Sequence, residues 1–307
     1  MARAAVVYFS QDGTTSRVAD AIAAGLRSAG YLVDLSNLRD GPPPDVGSYD
    51  LLGLGSPVYY YRLPFNVTDY LRQLPRLEGM PTFLFLVHGS HAFDVVNSLR
   101  DAIIKRGAYS VGYFRCFGEA HFLGHLREGY LFSPGHPSPD ELKRAREFAI
   151  AVAQRAAKGK HVPVADRSKP PLIYRLERAA MSRWLVAQVY SRLFKVDPNA
   201  CTACGVCMDI CPTQNIEQDK NGHPLWGRRC LFCLSCEMKC PEDAISSAVS
   251  RPIFQSLMRP FLRYHVSHWS QEAQLDHVRV THRHGQTKRL QSKSIASAKT
   301  GEGQSTS

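Results

Sequence analysis

The feature that most constrains this chain is a pair of four-cysteine runs set 29 residues apart. Residues 230 to 241 read CLFCLSCEMKCP, a C-x2-C-x2-C-x3-C-P spacing. Adding 29 to Cys201, Cys204, Cys207 and Cys211 gives Cys230, Cys233, Cys236 and Cys240, and the same shift takes Pro212 to Pro241 and Ile216 to Ile245. That is an internal duplication. Four thiolates can hold zinc tetrahedrally, but zinc ribbons pair two separated C-x2-C knuckles and have no need of three cysteines in a row followed by Cys-Pro. The spacing suits iron-sulfur cubanes instead.

In the bacterial two-cluster ferredoxin pattern, the first three cysteines of a run hold one cubane and the fourth reaches across to the other. The predicted ligands of one 4Fe-4S cluster are therefore Cys201, Cys204, Cys207 and Cys240. Cys211, Cys230, Cys233 and Cys236 are expected to hold the second. Val206, Ile210, Ile216, Leu231, Leu234 and Ile245 supply a dry shell around both. The ninth cysteine, Cys116, stands alone in an apolar strand pattern and is expected to be a small buried core residue.

A chain of 307 residues can bury a full core and is expected to hold two domains. Its longest apolar run, FLFLV at 83 to 87, falls far short of the roughly 20 residues that a spanning helix needs. No signal-peptide pattern opens the sequence, so a cytoplasmic location with reduced thiols is expected. Over the first 160 residues, strand patterns at 4–10, 31–38, 51–57, 82–89 and 110–118 alternate with helical patterns at 15–28, 65–74, 93–106 and 138–157. Such alternation implies right-handed crossovers and a doubly wound parallel α/β sheet of five strands, of the flavodoxin-like kind. The expected domains are 1–160 for this sheet, 161–197 for a linker and amphipathic helix, 198–250 for a small α+β two-cluster ferredoxin domain, and 251–307 for a basic extension. The extension is expected to be largely disordered after about residue 270. Within the second segment, 172–194 reads as one basic helix with Leu172, Leu176, Ala180 and Trp184 on one face. Packing against a domain of its own chain is the expectation for that face, with peripheral membrane contact the alternative.

Three loops at one edge of the sheet carry a second set of candidates. YFSQDGTTSR (8–17) ends a strand and opens a helix, whose N-terminus favours a phosphate, although a plain helix cap uses the same residue types. GSPVYYYRLP (55–64) places Tyr59, Tyr60 and Tyr61 where a ring could cover a planar cofactor. HGSHAF (88–93) offers Gly89 for close approach to a ring nitrogen. Each loop alone could be a surface turn; together they point to a flavin.

YFSQDGTTSRVADAI and GSPVYYYRLP, followed by the two cysteine runs, resemble the flavodoxin-ferredoxin fusion proteins. The resemblance covers about 1–265 and includes KVD (195–197) and RYH (263–265). It implies that Ser10, Gln11, Asp12, Gly13, Thr14 and Thr15 hold an FMN phosphate. Pro57, Val58, Tyr59, Tyr60, Tyr61 and Arg62, with His88, Gly89, Ser90, His91 and Phe93, would flank the isoalloxazine. Flavodoxins usually show Thr-Gly where this chain has Asp12-Gly13; flavodoxin-like protoporphyrinogen oxidases carry a similar RDG loop.

The expected function is an electron-transfer iron-sulfur flavoprotein, passing electrons between two 4Fe-4S clusters and FMN, to or from a redox partner. A dedicated flavin-dependent reductase is the alternative, its substrate pocket supplied by EAHFLGHLREGYLF (119–132). A non-catalytic redox sensor or scaffold is the third reading. The formal charge of +11 is concentrated in 251–307, where only Glu272, Asp276 and Glu302 are acidic. That favours an acidic redox partner protein, while a small-molecule electron acceptor stays open and nucleic acid is not expected. No catalytic acid or base stands out; His88 and His91 could relay a proton, though exposed loop histidines are commonly inert.

Overall fold

The computed structural model describes residues 1–268, 275–280 and 287–289. Five strands form the main sheet: β1 (Arg3–Tyr8), β2 (Leu32–Asn37), β3 (Leu51–Pro57), β4 (Pro81–His88) and β5 (Tyr109–Phe117). They are all parallel, in the order β2-β1-β3-β4-β5. The central strands LLGLGSP and PTFLFLVH are buried almost throughout, as strands covered on both faces must be. One face is covered by α1 (Thr14–Ser28), with Val18, Ile22 and Leu26 turned inward, and by a long helix, Pro139–Ala157, that contributes Ala145, Ala149 and Val152. The other is covered by α2 (Phe65–Gln73) and α3 (Val95–Lys105) through Val67, Leu71, Val96 and Leu99. The strand and helix patterns read from sequence reappear within one or two residues. Cys116 lies in β5, 4% exposed, as its apolar neighbours imply.

Between β5 and that long helix the chain makes α4 (Leu123–Arg127) and β6 (Tyr130–Phe132); the long helix is α5. Two corrections follow. The single helix expected over 172–194 is α6 (Leu172–Ala180), α7 (Arg183–Gln188) and a 3-10 turn at Tyr190–Leu193. Ser182 breaks it: its side chain accepts a hydrogen bond from the Leu185 N–H and caps a new helix. The packing face is also different. Leu172, Leu176 and Trp184 are 66%, 55% and 67% exposed, and the segment seats on its own chain through Tyr174, Met181 and Val186.

The stretch before α6 is tied down: the Val162 N–H donates to the Ser110 carbonyl, Asn97 pairs with the Asp166 backbone in both directions, and Val164 joins the core.

The cysteine-rich part holds β7 (Lys195–Val196), α8 (Val206–Asp209), β8 (Ile216–Gln218), β9 (Pro224–Trp226), α9 (Ser235–Met238) and β10 (Ile245–Ser246). β7 pairs with β10 and β8 with β9, both antiparallel. The duplication is copied in the backbone. A shift of 29 carries α8 onto α9, and it carries the left-handed residues Ala203, Gly205 and Gln214 onto Phe232, Leu234 and Asp243, all left-handed as well.

After it come α10 (Pro252–Ser267), β11 (Leu275–Val280) and β12 (Thr287–Arg289). The expectation of disorder beyond about residue 270 mostly concerns residues outside those described. Of those described, 275–280 form β11, which pairs antiparallel with β6, Leu275 opposite Phe132, and buries Leu275 and Val278. Among the described residues no helix is long and apolar enough to cross a membrane.

Gly55 of β3 lies opposite Phe85 of β4, whose ring fills the space a side chain would take; a Cβ there would sit 1.9 Å from the ring's Cζ. Gly55→Ala is therefore expected to destabilise the fold by about 1–3 kcal/mol through overpacking. The measurement is the thermal unfolding midpoint, and a Tm equal to wild type would show that the ring can move aside without loss.

Candidate redox site

At the carboxyl edge of the sheet the loops after β1, β3, β4 and β5 open into a cleft of about 1040 Å3, continuous with solvent. Parallel α/β sheets collect ligands at this edge. After β1 the chain is held by Asn37, which accepts from the Ser10 N–H at 3.0 Å and donates to the Ser10 carbonyl at 3.2 Å. The Ser16 N–H donates to Ser10 Oγ, and Arg39 donates to the Gln11 carbonyl. Gly13 then takes φ 82°, and α1 begins at the cleft with a cap residue that has no side chain to offer, Ser10 Oγ taking the Ser16 N–H of its first turn. A helix start that its cap residue leaves open, preceded by polar residues, suits a phosphate. Asp12 is exposed at the rim, where its carboxylate can turn to water.

The three tyrosines after β3 all line the cleft, and each ties it to a different part of the molecule. Tyr59 packs edge-on against Phe9 of the sheet domain. Tyr60 packs against Phe122 and donates from its hydroxyl to the Phe232 carbonyl at 2.6 Å, inside the second cysteine run. Tyr61, 5% exposed, packs on Tyr174 of α6 and on His265 of α10. Tyr60 and Tyr61 adopt φ 49° and 58°, a conformation that non-glycine residues hold only when their surroundings require it. Burial, together with the Glu177 carboxylate, holds the Tyr61 phenol far above its usual range.

Of the residues expected around a flavin, Ser10, Gln11, Asp12, Thr14, Thr15, Pro57, Val58, Tyr59, Tyr60, Tyr61, His88, Gly89, Ser90 and His91 line this cleft. Gly13, Arg62 and Phe93 do not. Arg62 turns away to donate to the Arg178 carbonyl, and Phe93 stacks behind His91 and against Tyr174. Gly89 has a steric role, since a Cβ there would meet Ala120 Cβ at 2.3 Å. The histidines are not exposed loop residues: burial drives the His88 ring down to about 4 and also lowers His91, and the His88 Nδ1 faces the Ser90 carbonyl at 3.1 Å.

Sequence reasoning assigned Gly118, Glu119, Ala120, His121, Phe122, His125 and Phe132 to no flavin loop, although most belong to the stretch that follows β5 at the same edge. Glu177 and Cys233 also line the cleft, and they arrive from other segments altogether. The buried Gln11 Oε1 and His125 Nδ1 have no hydrogen-bond partner among the described residues, and burial pushes the His125 ring down to about 3. Polar edges left unpaired around a roomy cleft fit a heteroaromatic cofactor such as a flavin.

The thiols fall into two groups. Cys201, Cys204, Cys207 and Cys240 line one small cavity, with Cys204 exposed. Cys211 lies close enough to Cys230, Cys233 and Cys236 to help raise each of their thiols electrostatically, as a neighbour does. Among the described residues no three His, Cys, Asp or Glu side chains are grouped to hold a single metal ion, and a cluster of several irons spaces its ligands more widely than one zinc does. The repeated left-handed residues form concavities of the kind that point backbone N–H groups at an anion. The Asn215 and Phe232 N–H groups donate to the sulfurs of Cys211 and Cys230 at 3.3 and 3.2 Å. Burial pushes the Cys207 thiol up to about 11, Cys230 to about 12 and Cys233 to about 11, so the thiolates need bound cations to balance them. The site thus fits iron-sulfur ligation.

Comparison with known proteins agrees with this geometry. Residues 5–122 match the family model of a flavodoxin domain, and residues 200–245 match that of a 4Fe-4S dicluster domain. An uncharacterized protein of Methanocaldococcus jannaschii, MJ0298, is 27% identical over 156 residues, which are 49% of this chain and 97% of that protein. A ferredoxin of Pyrobaculum islandicum is 40% identical over 55 residues, 17% of this chain and 50% of the ferredoxin. Among solved structures, the two-electron reduced flavodoxin of Megasphaera elsdenii matches 49% of this chain and 98% of its own, at 23% identity and a TM-score of 0.39. A flavodoxin domain implies a flavin and the dicluster domain implies iron-sulfur clusters. The chain therefore joins an N-terminal flavodoxin domain to a C-terminal 4Fe-4S dicluster ferredoxin domain.

Proposed function

We propose that this electron-transfer flavoprotein carries two 4Fe-4S clusters and one FMN, and that electrons pass between an external redox partner and the flavin by way of both clusters. One observation carries the reading: Cys233, a member of the second thiol group, lines the same cleft as the flavin loops. When bound, a flavin exchanges one or two electrons while each cubane exchanges one at a time, so their union converts between the two modes.

The chain's own residues set the order. The group containing Cys204, which is exposed, faces a partner, and the group containing Cys233 faces the cleft. Ser10, Gln11, Asp12, Thr14 and Thr15 with the start of α1 hold the phosphate, Gly13 making the turn between them; Pro57 to Tyr61 and His88 to His91 flank the ring. Residues 1–160 and 198–250 are the two cofactor-bearing domains, held against each other by Tyr60 on Phe232 and by Gln11, whose amide donates to the Ile210 carbonyl at 3.1 Å. The basic balance of the chain favours an acidic partner protein.

A second reading, a reductase with its own small-molecule substrate, gains support from the part of the cleft that the flavin loops do not line. There Phe122, His125, Phe132 and Glu177 form a further wall.

Anaerobic purification is expected to yield about eight irons and one FMN per chain, from two cubanes and one flavin site; zinc in place of iron would end the proposal. Cys233→Ser is expected to leave the flavin content unchanged, while flavin reduction by a protein donor too large to enter the cleft slows at least tenfold. Reduction at the wild-type rate would show that electrons do not travel by this thiol group. Saturable turnover with one small substrate would favour the second reading.

A further inference from the structure

The RYH stretch of the sequence has no part in holding either cofactor, yet its histidine meets a tyrosine of the flavin cleft. His265 lies on α10, 3% exposed, with both ring nitrogens within 3.1 Å of the Tyr61 hydroxyl, and its Nε2 also 3.1 Å from Glu177 Oε2. Nε2 is the nitrogen nearer the phenol, at 2.9 Å, and it is also the one that meets the carboxylate. The three residues come from the loop after β3, from α6 and from α10, and are brought together only in the folded chain. Around His265 stand Tyr174 of α6, His125 of α4 and Tyr264 of its own helix, with His91 of the β4 loop close enough to feel its charge.

Two cavities meet at this array. Tyr61, Glu177 and His125 line the flavin cleft, and Glu177, His125 and His265 line a second cavity between α4 and α10. The array is thus the partition between them, polar from side to side in a wall that is otherwise aromatic. A flavin reduced through clusters receives electrons alone, so any proton it takes up has to arrive by another route.

Resting on the electron-transfer reading above, we propose that Tyr61, His265 and Glu177 conduct protons from the second cavity into the flavin cleft. For each proton delivered, the Tyr61 O–H bond breaks toward the cleft and Tyr61 takes the proton carried on His265 Nε2, 2.9 Å away. Glu177, whose Oε2 is 3.1 Å from the same nitrogen, takes a proton from hydronium in the second cavity and returns it to Nε2. The three side chains end as they began; the net change is one proton moved inward to accompany two electrons supplied by the external donor through the clusters.

The test compares cofactor-loaded wild type with Tyr61→Phe, His265→Gln and Glu177→Gln during anaerobic reduction by a protein donor, following flavin bleaching and, with a pH-indicator dye, proton uptake from solution. Iron and flavin content serve as the loading control. In wild type, uptake is expected to keep pace with bleaching and to slow severalfold in D2O. In each variant, proton uptake is expected to lag bleaching by tenfold or more, whatever the initial rate of bleaching. Uptake that keeps pace with bleaching in the variants would overturn the relay, because the proton would then enter from the open mouth of the cleft. Should His265→Gln fail to load its cofactors, Tyr61→Phe removes a single oxygen and decides the question together with the isotope effect in wild type. Absence of bleaching in wild type at full loading would instead remove the electron-transfer reading on which the relay rests.

Discussion

The contact on which the rest of the arrangement depends is the seating of the second cysteine run on the edge of the flavodoxin sheet. Tyr60 donates to the Phe232 carbonyl, Leu231 and Cys233 pack against the core formed by α2, α3 and the sheet, and Arg127 of α4 pairs at 2.9 Å with the buried Glu237 of α9. These contacts are short, several, and largely shielded from water. One partly buried ion pair contributes little by itself because desolvation offsets its attraction. Here Glu237 also accepts from the Ser247 N–H and from the Ser250 hydroxyl, so its charge is satisfied from three sides and fixes the direction of α9. Without that seating the two cofactor sites would be neighbours only by tether, and electron passage would depend on chance encounter.

The duplicated backbone shows what the cysteine loops are shaped for. A left-handed conformation costs a non-glycine residue about 1–2 kcal/mol, and Ala203, Gln214, Phe232, Leu234 and Asp243 all adopt it. Nothing in the local sequence compensates, for none of them is a glycine. What they have in common is their place: each lies within a few residues of a cysteine, where the turned backbone can direct N–H groups toward sulfur and an anionic cluster. Ligation of a cluster would balance that strain and couple the folding of this part to metal, as in other small metal-dependent domains.

How much was legible in the sequence follows from how local each signal is. The alternation of apolar strands and amphipathic helices is a short-range pattern, and it located every strand of the sheet. Cysteine spacing is equally local, and the shift that maps one run onto the other also maps their helices. The break at Ser182 was missed because Leu172, Leu176, Ala180 and Trp184 keep helical spacing across it; a serine two residues before that tryptophan was the one available sign of a new helix start. The orientation of the segment was missed for a stronger reason. Apolar spacing shows that a face exists but not that anything covers it, and it is Tyr174, off that face, that is buried. Arg62 and Phe93 were assigned to the flavin by adjacency, whereas successive loop residues point different ways. Glu177 and Cys233 could not have been assigned to the cleft at all, nor His265 to the Tyr61 hydroxyl in its wall, since each arrives through contacts between segments far apart in the chain.

Those long-range contacts change the meaning of the segments that join the two domains. A flexible linker supplies only a local concentration that falls as its length grows. Residues 161–197 act differently: they are pinned to β5 by Val162, to α3 by Asn97, and to the flavin loops through Tyr61 and Arg62. The start of α10 is likewise held by Arg251, which donates to the Leu193 carbonyl at 2.7 Å, while its far end reaches Tyr61. The connector and the helix after the clusters therefore form one brace across the cleft. Because electron transfer weakens steeply with distance, a brace that fixes separation would govern its rate more than any single ligand's affinity, and by placing Glu177 in the cleft wall and His265 against Tyr61 the same brace adds polar groups to the cleft that neither domain would hold alone.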